Sequence, residues 1–336
     1  MNDETILLSH GAGGERMARL IEEVFVAAFD NPTLRELGDS AVAPIEAGRL
    51  AFTTDAFVIT PIFFPGGDIG HLSVCGTVND LAAAGARPLH LSAAFIIEEG
   101  LPLADLKRVV ASMKAAADEA RASVIAGDTK VVPHGAADKM FITTSGVGVV
   151  PEGVDISPAR ARVGDAVLIN GFIGDHGLAV LCAREGIELQ TPLRSDSAPL
   201  AGLVARVIEA APETHCLRDP TRGGVAAALN EIAERSGACI ELEETALPVR
   251  EAARGACEIL GLDPLHVANE GKMLVIVPEA QADAALAAMR RGRYGEGAAR
   301  IGQVVEGPAG RVQLRTVLGT RRIVDRPVGE PMPRIC

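Results

Sequence analysis

The chain has 336 residues, a length that predicts about two domains at ~150 residues per domain. Its 32 basic and 44 acidic residues give a formal net charge of -12 without a basic block, which argues against non-specific binding to nucleic acid or to an anionic membrane. The N-terminus opens with acidic residues, and no uninterrupted apolar stretch of about 18 residues is present, so the sequence predicts neither a signal peptide nor a membrane span. We therefore expect a cytoplasmic protein.

The predicted elements alternate between strands and helices, and long glycine-rich loops separate them. The first loop follows a short strand and opens a helical pattern over residues 15–29. A glycine loop that opens a helix presents backbone N–H groups suited to phosphate, so Gly11, Gly13 and Gly14 are candidate nucleotide contacts. The loop lacks the lysine and the Ser/Thr of a P-loop, and a plain strand-to-helix turn remains an equal alternative.

Hydrophobic periodicity predicts the other elements. Strands are expected over residues 6–8, 50–55, 122–126, 140–150, 166–170 and 273–277, helices over residues 72–84, 103–120, 178–184 and 225–235, and a hairpin from residues 312–317 and 321–324. Residues 151–164 are rich in proline, glycine and arginine, which predicts a domain boundary. We expect an N-terminal domain over residues 1–155 and a C-terminal domain over residues 156–326.

Three aspartates stand at chemically suggestive positions in the first half. Asp55 ends a predicted strand, Asp128 follows another, and Asp80 lies on a predicted helix among small apolar residues. A buried acid is costly unless it is paired or metal-bound. Carboxylates together with phosphate oxygens hold Mg²⁺, and a lysine such as Lys130 helps to neutralise a transferring phosphoryl group. Each aspartate alone is more often a cap or turn residue, but the set predicts nucleotide chemistry.

Two loops of the second half carry further candidates. Arg222 and Gly223 precede a predicted helix and offer a guanidinium and backbone donors to an anion; the alternative is a helix start capped by Asp219 or Thr221. Glu270 lies in a polar turn before an apolar strand, where a raised pKa would suit a general base. A turn without catalytic function is the alternative for Glu270.

Five of the six cysteines are predicted to lie in the core, and the sixth is at the C-terminus. No Cys-x-x-Cys pair is present, which leaves a zinc site or a disulfide framework without support, and five cysteines in apolar or helical surroundings are predicted to fill the core. Cys336 is the last residue and follows two prolines without apolar periodicity, so we predict a mobile tail over residues 327–336 that carries a thiol. The alternative is a frayed terminus with an accidental cysteine. Arg334 would lower the pKa of this thiol and the terminal carboxylate would raise it, which leaves the net direction open.

Together these residues resemble one family closely over nearly the whole chain. The chain resembles the HypE family, the carbamoyl dehydratases of [NiFe]-hydrogenase maturation, in a PurM-like superfamily with aminoimidazole ribonucleotide synthetase and selenophosphate synthetase. The matching motifs are His10-Gly11-Ala12-Gly13-Gly14, Thr53-Thr54-Asp55, Phe63-Phe64-Pro65-Gly66-Gly67-Asp68-Ile69-Gly70, Gly76-Thr77-Val78-Asn79-Asp80-Leu81-Ala82, Gly127-Asp128-Thr129-Lys130-Val131-Val132, Asp219-Pro220-Thr221-Arg222-Gly223-Gly224, Asn269-Glu270-Gly271 and Pro333-Arg334-Ile335-Cys336.

The resemblance implies a two-domain α/β (α+β) PurM-like fold. Its N-terminal mixed sheet would form a barrel across a homodimer, with the ATP site at that interface, and its C-terminal domain would be α/β. It also implies that the terminal cysteine receives a carbamoyl group from HypF. ATP-dependent dehydration would then give a thiocyanate that supplies cyanide to the hydrogenase iron, with HypC–HypD as further partners.

The resemblance also implies a role for each matching residue. Cys336 would be the carrier, Glu270 the base and Lys130 the residue that steadies phosphate. The implied Mg²⁺ ligands are Asp55, Asp80 and Asp128, and the implied ATP contacts are Gly11, Gly13, Gly14, Asp39, Gly67, Asp68, Thr129, Arg222 and Gly223.

Two other functions stay open on the sequence. One is a different ATP-dependent synthetase of the same superfamily, in which the terminal cysteine is incidental. The other is a carrier scaffold without enzymatic activity, whose tail only docks onto maturation partners. ATP hydrolysis that depends on a carbamoylated tail separates the dehydratase from the scaffold.

Overall fold

The computed structural model describes residues 5–11, 15–35, 48–188, 192–326, 332 and 334–336. Three predicted nucleotide contacts, Gly13, Gly14 and Asp39, lie outside the described residues. Within the described ranges, every helix is too short or too polar to cross a lipid bilayer.

The described residues form a mixed α/β structure, as the sequence predicts. Helices are α1 (Glu15–Leu20), α2 (Ala27–Phe29), α3 (Pro32–Arg35), α4 (Ile69–Ala83), α5 (Leu103–Ala120), α6 (Asp175–Glu185), α7 (Ala201–Ala210), α8 (Gly224–Ser236), α9 (Glu251–Leu260) and α10 (Glu279–Arg290), and a π-helix (Ile21–Val26) joins α1 to α2. Short 3₁₀ turns occupy Leu8–Gly11, Pro158–Arg160, Glu244–Ala246 and Pro264–His266. Strands are β1 (Arg49–Phe57), β2 (Phe63–Phe64), β3 (Gly67–Asp68), β4 (Arg87–Glu98), β5 (Ser123–Val132), β6 (Met140–Val150), β7 (Ala166–Ile169), β8 (Cys216–Arg218), β9 (Cys239–Glu243), β10 (Leu274–Val277), β11 (Ala299–Val305), β12 (Arg311–Arg315) and β13 (Arg321–Ile323).

The N-terminal half is built on a sheet of order β1-β6-β4-β5, in which only β4 and β5 run parallel. Its strands alternate between buried and exposed residues, which is the pattern of a sheet with one covered face. Helices α4 and α5 pack together closely: a Cβ on Gly70 of α4 would lie 2.3 Å from the Val109 carbonyl oxygen of α5. The other face of the sheet carries exposed Phe52 and Ile96.

The C-terminal half is built on a larger sheet of order β13-β12-β9-β11-β7-β10-β8. All residues of the central strands β7 and β10 are buried, and the two strands read as continuous aliphatic runs because both faces are covered. Residues of α8, such as Leu229, pack with Ile276 on one face. Residues of α7 and α10, such as Val207 and Met289, pack with Val275 on the other.

One buried amide fastens α4 to the C-terminal half. The Asn79 side chain donates to the carbonyl oxygens of Ala198 at 3.0 Å and Glu270 at 3.2 Å, and it accepts from the Leu200 backbone N–H at 2.8 Å. A buried side chain with three such bonds holds a specific geometry. The two halves also share an apolar cluster that includes Leu72 and Val267. The domain limits at residues 155 and 326 stay predictions.

Most predicted elements are present, and the main differences concern the beginning and end of strands. The helix over residues 103–120 and the strand over residues 140–150 coincide with α5 and β6, and β12 pairs antiparallel with β13 as the predicted hairpin. The expected strand over residues 6–8 is wrong, because the chain there makes an isolated bridge from Thr5 to Pro102 and then a 3₁₀ turn. Strand β5 continues to Val132, since Val131 and Val132 extend its pairing with β4.

Candidate active site

The described end of the tail, Met332 and residues 334–336, docks onto the body of its own chain. Val58 and Thr60, which follow β1, donate backbone N–H groups to the carbonyl oxygens of Cys336 at 3.2 Å and Arg334 at 3.4 Å, an antiparallel arrangement. The side chain of Ile335 is buried. We call these four residues the docked tail; the mobility predicted for residues 327–336 stays a prediction.

Two further contacts hold the docked tail. Arg334 forms an ion pair with Asp138 at 2.9 Å. Met332 packs on the N-terminal turn of α6, where a Cβ on Gly177 would lie 3.1 Å from the Met332 sulfur. The glycine therefore makes room for the methionine, because any larger residue at position 177 would press against it.

The thiol of Cys336 lies beside Glu270. Burial is the main reason that the pKa of this thiol is raised. The negative charges of Glu270 and Asp55 act in the same direction, while the Arg222 guanidinium opposes them. The direction that the sequence left open is thus upward, and the docked thiol is a poor nucleophile.

Glu270 itself is buried and held by its backbone. Its N–H donates to Asp196 Oδ1 at 3.1 Å, its carbonyl accepts from Asn79, and its Oε1 atom has no hydrogen-bond partner. Burial raises the pKa of Glu270 well above the usual range, and the charges of Asp219 and Asp196 add to the effect. A carboxylate in this state is able to accept a proton near neutral pH.

Three aspartates surround the same space. Burial raises the pKa of Asp55 and Asp80, and it raises the pKa of Asp219 to about 7. The negative charge of Asp80 adds to the effect at both Asp55 and Asp219. Thr53 donates to Asp80 at 2.8 Å. Arg222 faces this cluster from a turn made possible by glycine, since Gly223 has φ +77°. Such concentrated negative charge suits a divalent cation that also binds phosphate oxygens and water.

The three predicted magnesium ligands do not come together in one subunit. Asp55 faces α4, but Asp128 is largely exposed on β5 at the opposite edge of the sheet, three strand spacings or roughly 14 Å away. Among the residues that the structure describes, no three acidic, histidine or cysteine side chains form a preformed metal site. The sequence did not reveal this separation because chain order does not give strand order.

The other predicted phosphate contacts differ in their surroundings. Lys130 is exposed beside Asp128, with 3.9 Å between the ammonium nitrogen and the carboxylate. Thr129 is buried, and its N–H bonds to Asp128 Oδ1 at 2.8 Å. Asp68 caps α4, where it accepts from the N–H groups of Gly70 at 2.8 Å and His71 at 3.0 Å, so this carboxylate is already used.

The two remaining glycines that the structure describes lie in tight turns. Gly67 belongs to the short β2–β3 pair, where a Cβ would lie 3.0 Å from the Phe64 ring. Gly11 ends the 3₁₀ turn that begins at Leu8.

Sequence reasoning missed four residues of the site, which are Asp196, His176, Asp219 and Lys272. Asp219 was considered only as a helix cap, yet α8 begins at Gly224 with Gly223 as its N-cap, no side chain caps it, and Asp219 is buried beside the acids. Asp196 pairs with Lys272 at 2.9 Å while it holds Glu270, and His176 bonds the carbonyl of Ile335 at 2.8 Å. Asp219 lies within a motif that did point to the family, whereas Asp196 had no local signal.

Comparison with known proteins gives a consistent result. Residues 37–150 match the N-terminal domain, and residues 162–315 the C-terminal domain, of AIR synthase related proteins. A carbamoyl dehydratase HypE from Cupriavidus necator is 56% identical over 98% of this chain and 94% of its own length.

Solved structures give the same picture. A HypE crystal structure in complex with ATP is 50% identical, covers 99% of this chain and 100% of its own, and has a TM-score of 0.96. A HypE–HypF complex structure is 52% identical, with a TM-score of 0.81 over 92% of this chain and 99% of its own.

Proposed function

The chain belongs to the HypE family of AIR synthase related proteins, and from this premise we propose that it is an ATP-dependent carbamoyl dehydratase. It converts an S-carbamoyl group on Cys336 into a thiocyanate, which supplies cyanide for the iron centre of a [NiFe]-hydrogenase. A single observation supports the proposal: the terminal thiol lies beside Glu270, a carboxylate that is buried in the body of the protein.

The position of the thiol explains what Glu270 does. A carbamoyl group on the sulfur takes the place of the thiol proton and therefore begins within hydrogen-bond reach of the carboxylate. Loss of oxygen from this group also requires loss of two protons from its nitrogen. Because burial raises the pKa of Glu270 well above the usual range, the carboxylate is a competent acceptor for one of them, and the departing phosphate would take the other.

We propose ATP and Mg²⁺ as the remaining requirements. ATP, when bound, makes the carbamoyl oxygen a phosphate leaving group, because hydroxide leaves too poorly. The carboxylates of Asp55 and Asp80 lie close to each other, and in their ionised form they would hold a magnesium ion together with phosphate oxygens. Arg222 would bind phosphate, and the buried site would exclude water that otherwise attacks the activated group.

A homodimer accounts for Asp128 and Lys130. Both side chains are exposed on β5, and the same bare face of the sheet carries Phe52, which is 66% exposed, and Ile96, which is 42% exposed. An apolar sheet face of this kind is typical of an interface. We propose that two such faces meet in a dimer, where Asp128 and Lys130 bind metal and phosphate at the interface.

The partners and location follow from the family. We propose HypF as the donor of the carbamoyl group and HypC–HypD as the complex that receives the cyanide. The cytoplasmic location and the two domain limits likewise remain predictions.

Mass spectrometry of the C-terminal peptide tests the proposed function. The protein is first incubated with carbamoyl phosphate and HypF, without an ATP that this protein can hydrolyse. Cys336 is then expected to carry a carbamoyl group. With hydrolysable ATP, the adduct should lose the mass of one water. Cys336→Ala is the matched control and should carry neither adduct. An unmodified Cys336 under both conditions would contradict the proposal, and ATP turnover by Cys336→Ala on a free amide would favour a different synthetase.

A further inference from the structure

His176 joins the docked tail to the body of the protein from a fully buried position. Its Nε2 atom lies 2.8 Å from the Ile335 carbonyl oxygen, and its Nδ1 atom lies 2.8 Å from Ser195 Oγ. The Phe64 ring meets the imidazole edge to face, with 5.6 Å between the ring centres. Both nitrogens are therefore used, and the ring has one fixed orientation.

The tautomer of this imidazole follows from its partners. A carbonyl oxygen can only accept, so Nε2 carries the proton and donates to Ile335. Nδ1 then accepts from the Ser195 hydroxyl. Burial lowers the pKa of His176, which keeps the ring neutral and preserves this pair of bonds.

Ser195 leads from His176 to the general base. Its backbone N–H is anchored by the Pro65 carbonyl at 2.7 Å, and its hydroxyl accepts from the Ser197 N–H at 3.1 Å. The next residue, Asp196, accepts from the Glu270 N–H at 3.1 Å and pairs with Lys272 at 2.9 Å. One short segment is thus bonded both to the histidine that holds the tail and to the backbone of Glu270.

We propose that His176 is a positioning residue which, through Ser195 and Asp196, holds the docked tail in register with Glu270. The bond to Ile335 lies one residue before the carrier cysteine, so it fixes how far the thiol extends toward the carboxylate. Without that bond the tail loses one of its few polar anchors and undocks more often. This inference rests on the proposed function for its catalytic consequence, but tail docking is measurable without any chemistry.

The reactivity of Cys336 toward a small thiol reagent measures docking directly. The other five cysteines are buried, and the docked thiol is partly buried and has a raised pKa, so it reacts slowly in the docked position. The rate of labelling by 5,5′-dithiobis(2-nitrobenzoate), without nucleotide or HypF, therefore reports the fraction of molecules in which the tail is undocked. We expect one reactive thiol per folded chain, and a larger number identifies a variant that has failed to fold.

Two matched variants separate a positioning role from a packing role. In His176→Gln the amide nitrogen occupies nearly the place of Nε2 and still donates to Ile335, whereas in His176→Asn it falls short. Loss of one hydrogen bond should speed the labelling of His176→Asn by about tenfold, while His176→Gln stays within about threefold of the wild type. Ser195→Ala, which frees the imidazole to turn, should lie between them.

Equal labelling of the wild type and His176→Asn would overturn the inference, and so would equally fast labelling of His176→Gln and His176→Asn. Dehydration of the carbamoylated protein supplies the second measurement, since its rate should fall in the order in which labelling rises. If no variant and no wild type dehydrates the adduct while the labelling order holds, the proposed function fails and the positioning role stands.

Discussion

The two sheets of this molecule are completed in different ways. In the C-terminal half, β7 and β10 are covered on both faces by helices of the same chain. In the N-terminal half, helices cover only one face and leave Phe52 and Ile96 exposed on the other. The closed half supplies Glu270 from a rigid interior, and the open half supplies Asp128 and Lys130 on the bare face. A sheet covered on both faces holds a carboxylate such as Glu270 away from water, whereas a sheet with one uncovered face leaves apolar and charged side chains exposed.

The largest effect is expected at the base supplied by the closed half. Glu270→Gln keeps the shape of the side chain but cannot accept a proton, so dehydration should slow by about 100- to 10,000-fold. Carbamoylation of Cys336 by HypF should continue, because it occurs on the undocked tail. Mass spectrometry of the C-terminal peptide over time measures both reactions.

The pH dependence of the same reaction gives a check. Because the pKa of Glu270 is raised, its base form appears only as the pH rises through that raised value, well above the usual glutamate range. The wild-type dehydration rate should therefore increase with pH in this window. A rate that is flat from pH 5 to pH 8 would remove Glu270 from the role of base.

The bare face is tested by a charge at its most exposed aromatic side chain. Phe52→Lys should weaken dimerisation by about 2–4 kcal/mol, or roughly 30- to 1,000-fold, because the ammonium would be buried against a second sheet. Leu318→Lys is the matched control, since Leu318 is 86% exposed on the hairpin of the closed half. Light scattering across a dilution series should show a monomer only for Phe52→Lys. Dimers of equal strength would contradict the interface.

Truncation of an isoleucine in each sheet sharpens the same contrast. Ile276→Ala opens a cavity between two covered faces and should cost about 2–4 kcal/mol at every protein concentration. Ile96→Ala should cost less, and only at concentrations where the dimer forms, because Ile96 is 42% exposed in the single chain. Urea unfolding followed by circular dichroism measures both, since the chain has no tryptophan. If the loss of unfolding free energy is independent of protein concentration for both variants, the proposed difference between the two sheets is wrong.

The smallest effect concerns stability and Asp219. Burial raises the pKa of Asp219 from the ordinary aspartate range to about 7, so the folded state binds the proton more tightly than the unfolded state. The resulting stability is complete below about pH 4 and is lost as the pH rises toward 7 and beyond. Asp219→Asn should therefore stabilise the metal-free protein by about 1–2 kcal/mol at pH 8 but hardly at pH 5. Thermal unfolding in EDTA at the two pH values measures the difference, and equal shifts would contradict the buried ionised state.

Local patterns were sufficient for the elements and for the family. The periodicity of residues 103–120 predicted α5, and the continuous aliphatic run before residue 277 predicted a strand, because each property is set within a few residues. The five core cysteines were also predicted correctly from their neighbours. Asp55, Glu270 and Cys336 were singled out separately, and the structure brings them together.

Other features depended on contacts between distant parts of the chain. The length of β5 was underestimated because its extension is stabilised by pairing with β4. Asp196 went unnoticed because its partners, the Glu270 N–H and Lys272, lie 74 and 76 positions away in the sequence. Strand order and the face of the sheet together separate Asp128 from Asp55.

The amino-acid sequence by itself determined which residue types are available: a terminal thiol, a glutamate in a polar segment, several aspartates and glycine turns. These follow from local composition and spacing. Only the tertiary structure decided that the thiol meets Glu270, that His176 holds the preceding carbonyl, and that burial raises both pKa values. The reason is physical: proximity, desolvation and charge coupling depend on distances in space, and the chain fixes those distances only when strands pair and helices pack.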